Sequence, residues 1–127
     1  MRVLLSIKPE YATLIFSGRK KYEFRRTVFK NPDVTSVVVY ASSPIQKVIG
    51  EFQIAEVLSD SPDELWSRTK RHAGISEEFF FEYFADKNIA YAIEVKEAIL
   101  YEEALDIQEA FNAVPPQSFI YLHEIAD

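Results

Sequence analysis

Apolar and polar positions alternate at the start of the chain. Val3, Leu5 and Ile7 are separated by Leu4, Ser6 and Lys8, a period of two that predicts a strand. Pro9 suits the first turn of a helix, where its missing N–H is no loss. Tyr11, Leu14 and Ile15 follow at helical spacing, and Gly18 closes that helix. A second strand is expected over residues 21–26. The Asn31-Pro32-Asp33 turn leads to residues 34–41 (VTSVVVYA), β-branched and aromatic enough to be a central strand. Ser42-Ser43-Pro44 ends it. Residues 48–58 form another long strand, with Gly50 marking a bulge or bend.

Two helices come next. Ser61 caps the first, with Pro62 in its first turn and Glu64 completing a capping box. Leu65 and Trp66 supply its buried face. Ser76 caps the second, in which Phe80, Tyr83 and Phe84 form an apolar stripe whose i, i+3, i+4 spacing is that of core packing rather than of a base-stacking platform. Residues 90–100 alternate again as a long strand (Tyr91, Ile93, Val95). A segment holding at most a helical turn runs to Pro115-Pro116, and residues 118–123 make a last strand. The order β-α-β-β-β-α-α-β-β is not the alternation of a parallel βαβ sheet. It predicts an α+β fold built on a closed or partly closed, mostly antiparallel β-barrel with flanking helices.

The length of 127 residues is that of one domain, expected to fill residues 1–127, and a hydrophobic fraction of 48% supports a core. There are no cysteines, which removes disulfides, thiolate zinc sites and thiol catalysis. No signal-peptide pattern or membrane-spanning run is visible, so a cytoplasmic protein without membrane contact is the expectation. His72 and His123 are the only histidines, and neither has a second ligand at metal spacing, so neither a metal nor another cofactor is expected. GxGxxG, Walker A and GxSxG motifs are absent.

Charge changes this picture locally. The net charge is −6, yet residues 19–30 hold six basic side chains against one acid, Glu23. That local balance of +5 leaves −11 on the remainder. A positive patch on an acidic body focuses its field on a small area, although a solvated charge run on an edge strand has the same composition. Strand alternation puts Lys21, Glu23 and Arg25 on one face and Tyr22, Phe24 and Arg26 on the other, with Tyr22 and Phe24 directed into the barrel wall. Lys20 has the wrong parity for the first set and must leave the turn after Gly18 to join Glu23 and Arg25. A carboxylate between cations accepts from a base amino group, while its neighbours donate to phosphate or carbonyl oxygens.

Gly18, Lys20, Glu23 and Arg25 fit the pattern GxKxxExR. The preceding LLSIKPEYATLIFSG, the strand ending at Tyr40-Ala41-Ser42-Ser43-Pro44, the strand around Gly50, and Pro116-Gln117-Ser118-Phe119 extend the likeness over most of the chain. The chain resembles the ASCH domain family, related in fold to PUA domains, and in particular its small stand-alone bacterial or phage-type members. The resemblance implies a PUA-like β-barrel with a cleft beside the motif that binds RNA or nucleotides, a modified base among the candidate ligands. Some small relatives are amidohydrolases acting on acylated cytidine, and ribonuclease activity belongs to others. In the amidohydrolase type a lysine of the motif works with a threonine. Lys20 matches that lysine, whereas Glu23 stands at the threonine position, so the hydroxyl nucleophile is missing.

Two functions follow as expectations. In a binding module, Lys21, Arg25 and Arg26 contact phosphates, Glu23 accepts from a base edge or orients Lys20, and Tyr40 or Tyr121 stacks on the base. Lys8, Ser42, Gln117 and Ser118 form the rim. In an enzyme on nucleic acid or a modified nucleoside, Lys20 serves as base or nucleophile and Glu23 activates water.

Overall fold

The computed structural model describes residues 1–123. The elements in chain order are β1 (Arg2–Ile7), α1 (Pro9–Phe16), β2 (Tyr22–Arg25), β3 (Ser36–Ala41), β4 (Lys47–Asp60), α2 (Pro62–Thr69), a 3₁₀ turn (Lys70–His72), α3 (Glu77–Tyr83), β5 (Ala90–Leu105), α4 (Ile107–Phe111) and β6 (Phe119–Leu122). The helices start where the sequence places their caps. Ser61 Oγ accepts from the Glu64 N–H at 3.3 Å, and Ser76 Oγ accepts from the Phe79 N–H at 3.1 Å. The segment before Pro115 does hold a short helix, α4, whose cap is Asp106, accepting from the N–H groups of Gln108 and Glu109. Among the described residues no helix is long and apolar enough to cross a membrane.

The strands form one six-stranded sheet in the order β2-β5-β4-β3-β1-β6. All pairings are antiparallel except β1 with β3, which are joined through α1 and β2 and lie parallel. The fold is thus α+β and mostly antiparallel, but the ladder does not close into a barrel. β2 and β6 are the two ends of the sheet and do not pair with each other. The sheet instead curls until the end of β2 reaches the end of β1, where Arg25 Nη2 donates to the Ser6 carbonyl at 2.8 Å. A side chain, not a backbone ladder, links β2 to β1 at this point.

Both faces of the central strands are covered. Val3, Leu5 and Ile7 of β1 and Val37 and Val39 of β3 pack with Ala12 and Ile15 of α1, while Leu4, Val38 and Tyr40 pack on the other face with Ile107 of α4. This is why β3 lacks polar alternation. A third cluster lies at the β2 end of the sheet, where Phe24, Leu58, Ala90 and Ala92 meet Leu65 of α2 and Phe80 and Phe84 at α3. The curl is concentrated in the β4–β5 ladder, whose register shifts between Val48 and Gly50, between Gln53 and Ile54, and between Ile54 and Val57.

Gly50 permits the closest approach in that ladder. A Cβ there would lie 2.5 Å from the Ile99 carbonyl oxygen and 2.7 Å from the Phe16 ring. Gly50→Ala is therefore expected to destabilise the fold by about 1–3 kcal/mol, read as a lower urea midpoint with an unchanged slope. An unchanged midpoint would show that the ladder yields freely at this point.

Candidate functional site

The turn after α1 sends Lys20 inward. The N–H groups of both Arg19 and Lys20 return to the Leu14 carbonyl at 3.0 Å. The Lys21 N–H then donates to the His72 carbonyl, and the Lys21 carbonyl accepts from Val95, which moors the chain between the 3₁₀ turn and β5. Lys20 is 1% exposed, as buried as the apolar core. Its Nζ donates to the Ala73 carbonyl at 2.6 Å and sits 4.7 Å from the ring centroid of Phe24 and 5.5 Å from that of Tyr11. Two aromatic faces and a carbonyl replace part of the lost hydration. Burial lowers its pKa to about 8, against the opposing pull of the Glu23 carboxylate.

The lysine stem has room only because residue 74 is glycine. Gly74 has φ 69°, and a Cβ there would lie 2.6 Å from Cβ and Cγ of Lys20. The 73–75 segment covers the stem while Ala73 receives its proton, so one short loop both buries the ammonium and binds it.

Glu23 and Arg25 lie on β2, opposite Ile93 and Tyr91 of β5. The Glu23 side chain is nearly buried, and its Oε2 lies 3.0 Å from Nη2 of Arg25. The same Nη2 donates to the Ser6 carbonyl, while Arg25 Nε is buried with no acceptor. Phe24 projects into the α2–α3 cluster, edge-on to Phe80 at 5.1 Å between centroids. Tyr22 packs against that cluster from its margin. These aromatics thus pack against helices rather than into a barrel wall.

Lys20, Glu23 and Arg25 meet at one cavity of about 200 Å³, with Lys8 and Ser6 at its β1 side. The rest of its lining is mainly aromatic and apolar and includes Tyr11 from α1, Ile75, Phe79 and Tyr83. The rings of Tyr11 and Phe79 are 6.0 Å apart, and those of Phe79 and Tyr83 are 6.4 Å apart and near-parallel. None of these four side chains stands out as a ligand wall in the sequence. Phe79 and Tyr83 carry the one available signal: they are i, i+4 neighbours on the half-exposed flank of the stripe whose other flank, Phe80 and Phe84, is core. Tyr83 is thus a cavity residue where helical spacing alone predicts core.

The remaining candidates divide. Arg26 is exposed; its Nε donates to the Tyr83 carbonyl at 2.7 Å and its guanidinium lies 4.1 Å over the Tyr83 ring. Gln117 and Ser118 line a neighbouring hollow with Arg25, Arg26, Thr27 and Tyr83. Lys21 lies at a different surface, beside Phe16, Gly18 and Lys96. Tyr40 is 4% exposed and packed under α4, so it has no face free for a base. Tyr121 accepts from the N–H groups of Lys30 and Asn31 and borders another hollow with Phe111 and His123. Ser42 belongs to the turn after β3, its N–H donating to Ile7, and does not line the cavity. Among the described residues no cluster of three or more histidine, aspartate or glutamate side chains is placed to hold a metal.

The sequence matches the ASCH domain model over residues 5–111. The chain belongs to the ASCH domain family. It is 30% identical over 126 residues to an ASCH domain-containing ribonuclease of Zymomonas mobilis, covering 95% of this chain and 84% of that protein. The crystal structure of the ASCH protein from Zymomonas mobilis superposes with a TM-score of 0.88 at 30% identity, over 97% of this chain and 88% of that one. An ASCH-like match also occurs within the large ribosomal subunit protein uL22 of Ureaplasma parvum, 30% identical over 121 residues, where it spans 94% of this chain but 39% of that protein.

Two tests follow from the geometry. Because the Lys20 pKa is lowered on folding from 10.5 to about 8, the unfolded chain holds more protons between those values. Stability carried by this group therefore rises as pH increases through that window and is flat below it. Relative to Lys20→Met, which removes the titration and keeps the bulk, the native ASCH domain should gain stability from about pH 8 upward; parallel curves would mean a hydrated ammonium. Gly74→Ala combines a forced positive φ with a clash on the Lys20 stem, and an expected loss of about 2 kcal/mol or more should shrink when Lys20→Gly, which removes Cβ along with the rest of the stem, is added. Full additivity of the two changes would separate them physically.

Proposed function

We propose that this ASCH domain binds RNA or a nucleotide by taking one base into the cavity above Lys20, Glu23 and Arg25. The observation that carries this reading is that an ammonium, a carboxylate and a guanidinium, brought from a turn and a strand, meet at one hollow that aromatic side chains also line. A volume of about 200 Å³ is below the roughly 300 Å³ at which drug-sized ligands begin, so it suits a single ring system. Glu23 keeps one oxygen beyond its contact with Arg25 and accepts from a base amino or imino group, while Lys20 donates to a ring carbonyl. Tyr11, Phe79 and Tyr83 supply the faces on which a base gains about 1–3 kcal/mol by stacking. Ile75 adds apolar lining that a small substituent on a modified base would cover. The relative from Zymomonas mobilis is named a ribonuclease, which favours RNA over other partners.

A second reading, hydrolysis of RNA or of a modified nucleoside, has one observation in its favour. Lys20 is buried beside a carboxylate with its pKa near 8, so an appreciable fraction is a neutral amine able to take a proton from an attacking hydroxyl or water. Such a rate would rise with pH through about 8 and vanish in Glu23→Gln if the carboxylate also acts. Nuclease-free protein that leaves labelled RNA and acylated cytidine intact at pH 7 and 9 would remove this reading and leave the binding one.

Binding is tested by fluorescence anisotropy with labelled single-stranded RNA. Lys20→Met and Glu23→Gln should each weaken binding about 10-fold or more, whereas the exposed Lys87→Ala should stay within about twofold. Affinity should also fall with added salt, as counterions released from phosphates require. Equal affinity of native, Lys20→Met and Glu23→Gln proteins would place the RNA elsewhere.

A further inference from the structure

A second hollow, of about 220 Å³, adjoins the cavity just described. Arg25 and Tyr83 border both, so the two are neighbours across those side chains. Their chemistry differs. The first has an aromatic wall and a carboxylate. The second is bordered by two guanidiniums, the Gln117 amide and the hydroxyls of Thr27 and Ser118, with no acid among them. Arg25 is already paired with Glu23, so Arg26 supplies the net positive charge, and with the neutral donors of Thr27, Gln117 and Ser118 it makes the environment of an anion.

The donors are also held in place. Arg26 is exposed, yet its Nε is fixed on the Tyr83 carbonyl at 2.7 Å and its guanidinium lies 4.1 Å over the Tyr83 ring. Binding through the remaining Nη groups then loses little rotamer freedom. The opposite wall is tethered too. Ser6 Oγ donates to the Pro116 carbonyl at 2.8 Å, tying the segment that carries Gln117 and Ser118 to β1, the strand that borders the base cavity.

We infer that this hollow is a phosphate-ester subsite: with the base over Lys20 and Glu23, the sugar passes Tyr83 and a phosphate of the same nucleotide lies against Arg25 and Arg26. The inference rests on the base-binding reading above and adds to it the place where a phosphate of that nucleotide is held, which distinguishes the nucleotide from the nucleoside or free base. Arg26 is then the residue that tells the two apart, and Tyr83 both stacks at the base cavity and orients the phosphate donor.

The test compares the four ribonucleosides with their 5′- and 3′-monophosphates by calorimetry at fixed ionic strength, on native protein and on Arg26→Gln. For the base that binds, one of its two monophosphates should bind about 10-fold or more tightly than the nucleoside. In Arg26→Gln that advantage should fall to within about twofold. Equal affinity of nucleoside and both monophosphates for the native protein would overturn the subsite and leave the base cavity standing. So would an Arg26→Gln protein that loses nucleoside and nucleotide affinity alike. If neither nucleosides nor monophosphates bind, the base cavity and the subsite both fall. Inorganic phosphate, titrated alone, should compete with the monophosphate and not with the nucleoside; competition with both would place the anion in the base cavity and overturn the assignment.

Discussion

One guanidinium holds the seam of this fold. Arg25 reaches from β2 to the carbonyl of Ser6 on β1 while its same terminal nitrogen pairs with Glu23. β2 ends the sheet on one side and β1 lies next to β6, the end strand on the other, so no backbone ladder joins β2 to β1. A ladder would have filled the gap with paired backbone and left no room. A side-chain bridge closes the sheet mechanically and keeps a concavity with polar groups at its mouth. Removing the guanidinium would strand both the Glu23 carboxylate and the Ser6 carbonyl, so the seam and the site stand together.

The same economy applies to the helix above the cavity. Along α3 and its end, Phe80 and Phe84 are core, packed on Phe24, Leu65 and Ala90, whereas Phe79 and Tyr83 form a wall of the cavity. Residues one position apart on a helix point about a quarter-turn away from each other, so a run of aromatics serves two environments without a change of composition. Lys20 illustrates the opposite compromise. A buried ammonium is unfavourable compared with an apolar side chain of similar shape, and the chain supports it with the Ala73 carbonyl, two ring faces and a glycine that leaves its stem space. That support comes from three separate parts of the chain, α1, β2 and the 73–75 loop, which holds the lysine in a setting specific to this fold.

Strand and helix identity, the serine caps at Ser61 and Ser76, the bend at Gly50 and the interior place of β3 were all legible in the sequence, as was the convergence of Lys20 with Glu23 and Arg25. Each depends on residues within a few positions of one another: alternation for a strand, a hydroxyl two or three residues before the N–H it accepts from, a turn that redirects one side chain. The basic segment was also visible as a charge anomaly on an acidic chain.

What only the tertiary structure decided lies across long separations. The parallel pairing of β1 with β3, the seam left open between β2 and β1, the burial of Tyr40 under α4, the departure of Lys21 to another surface, and the meeting of Tyr11 with Phe79 and Tyr83 all join residues whose local patterns say nothing of one another. Periodicity reports which face of an element is apolar but not which neighbour covers it. A tyrosine that will be core and a tyrosine that will line a cavity therefore look alike until the sheet has curled and the helices have docked.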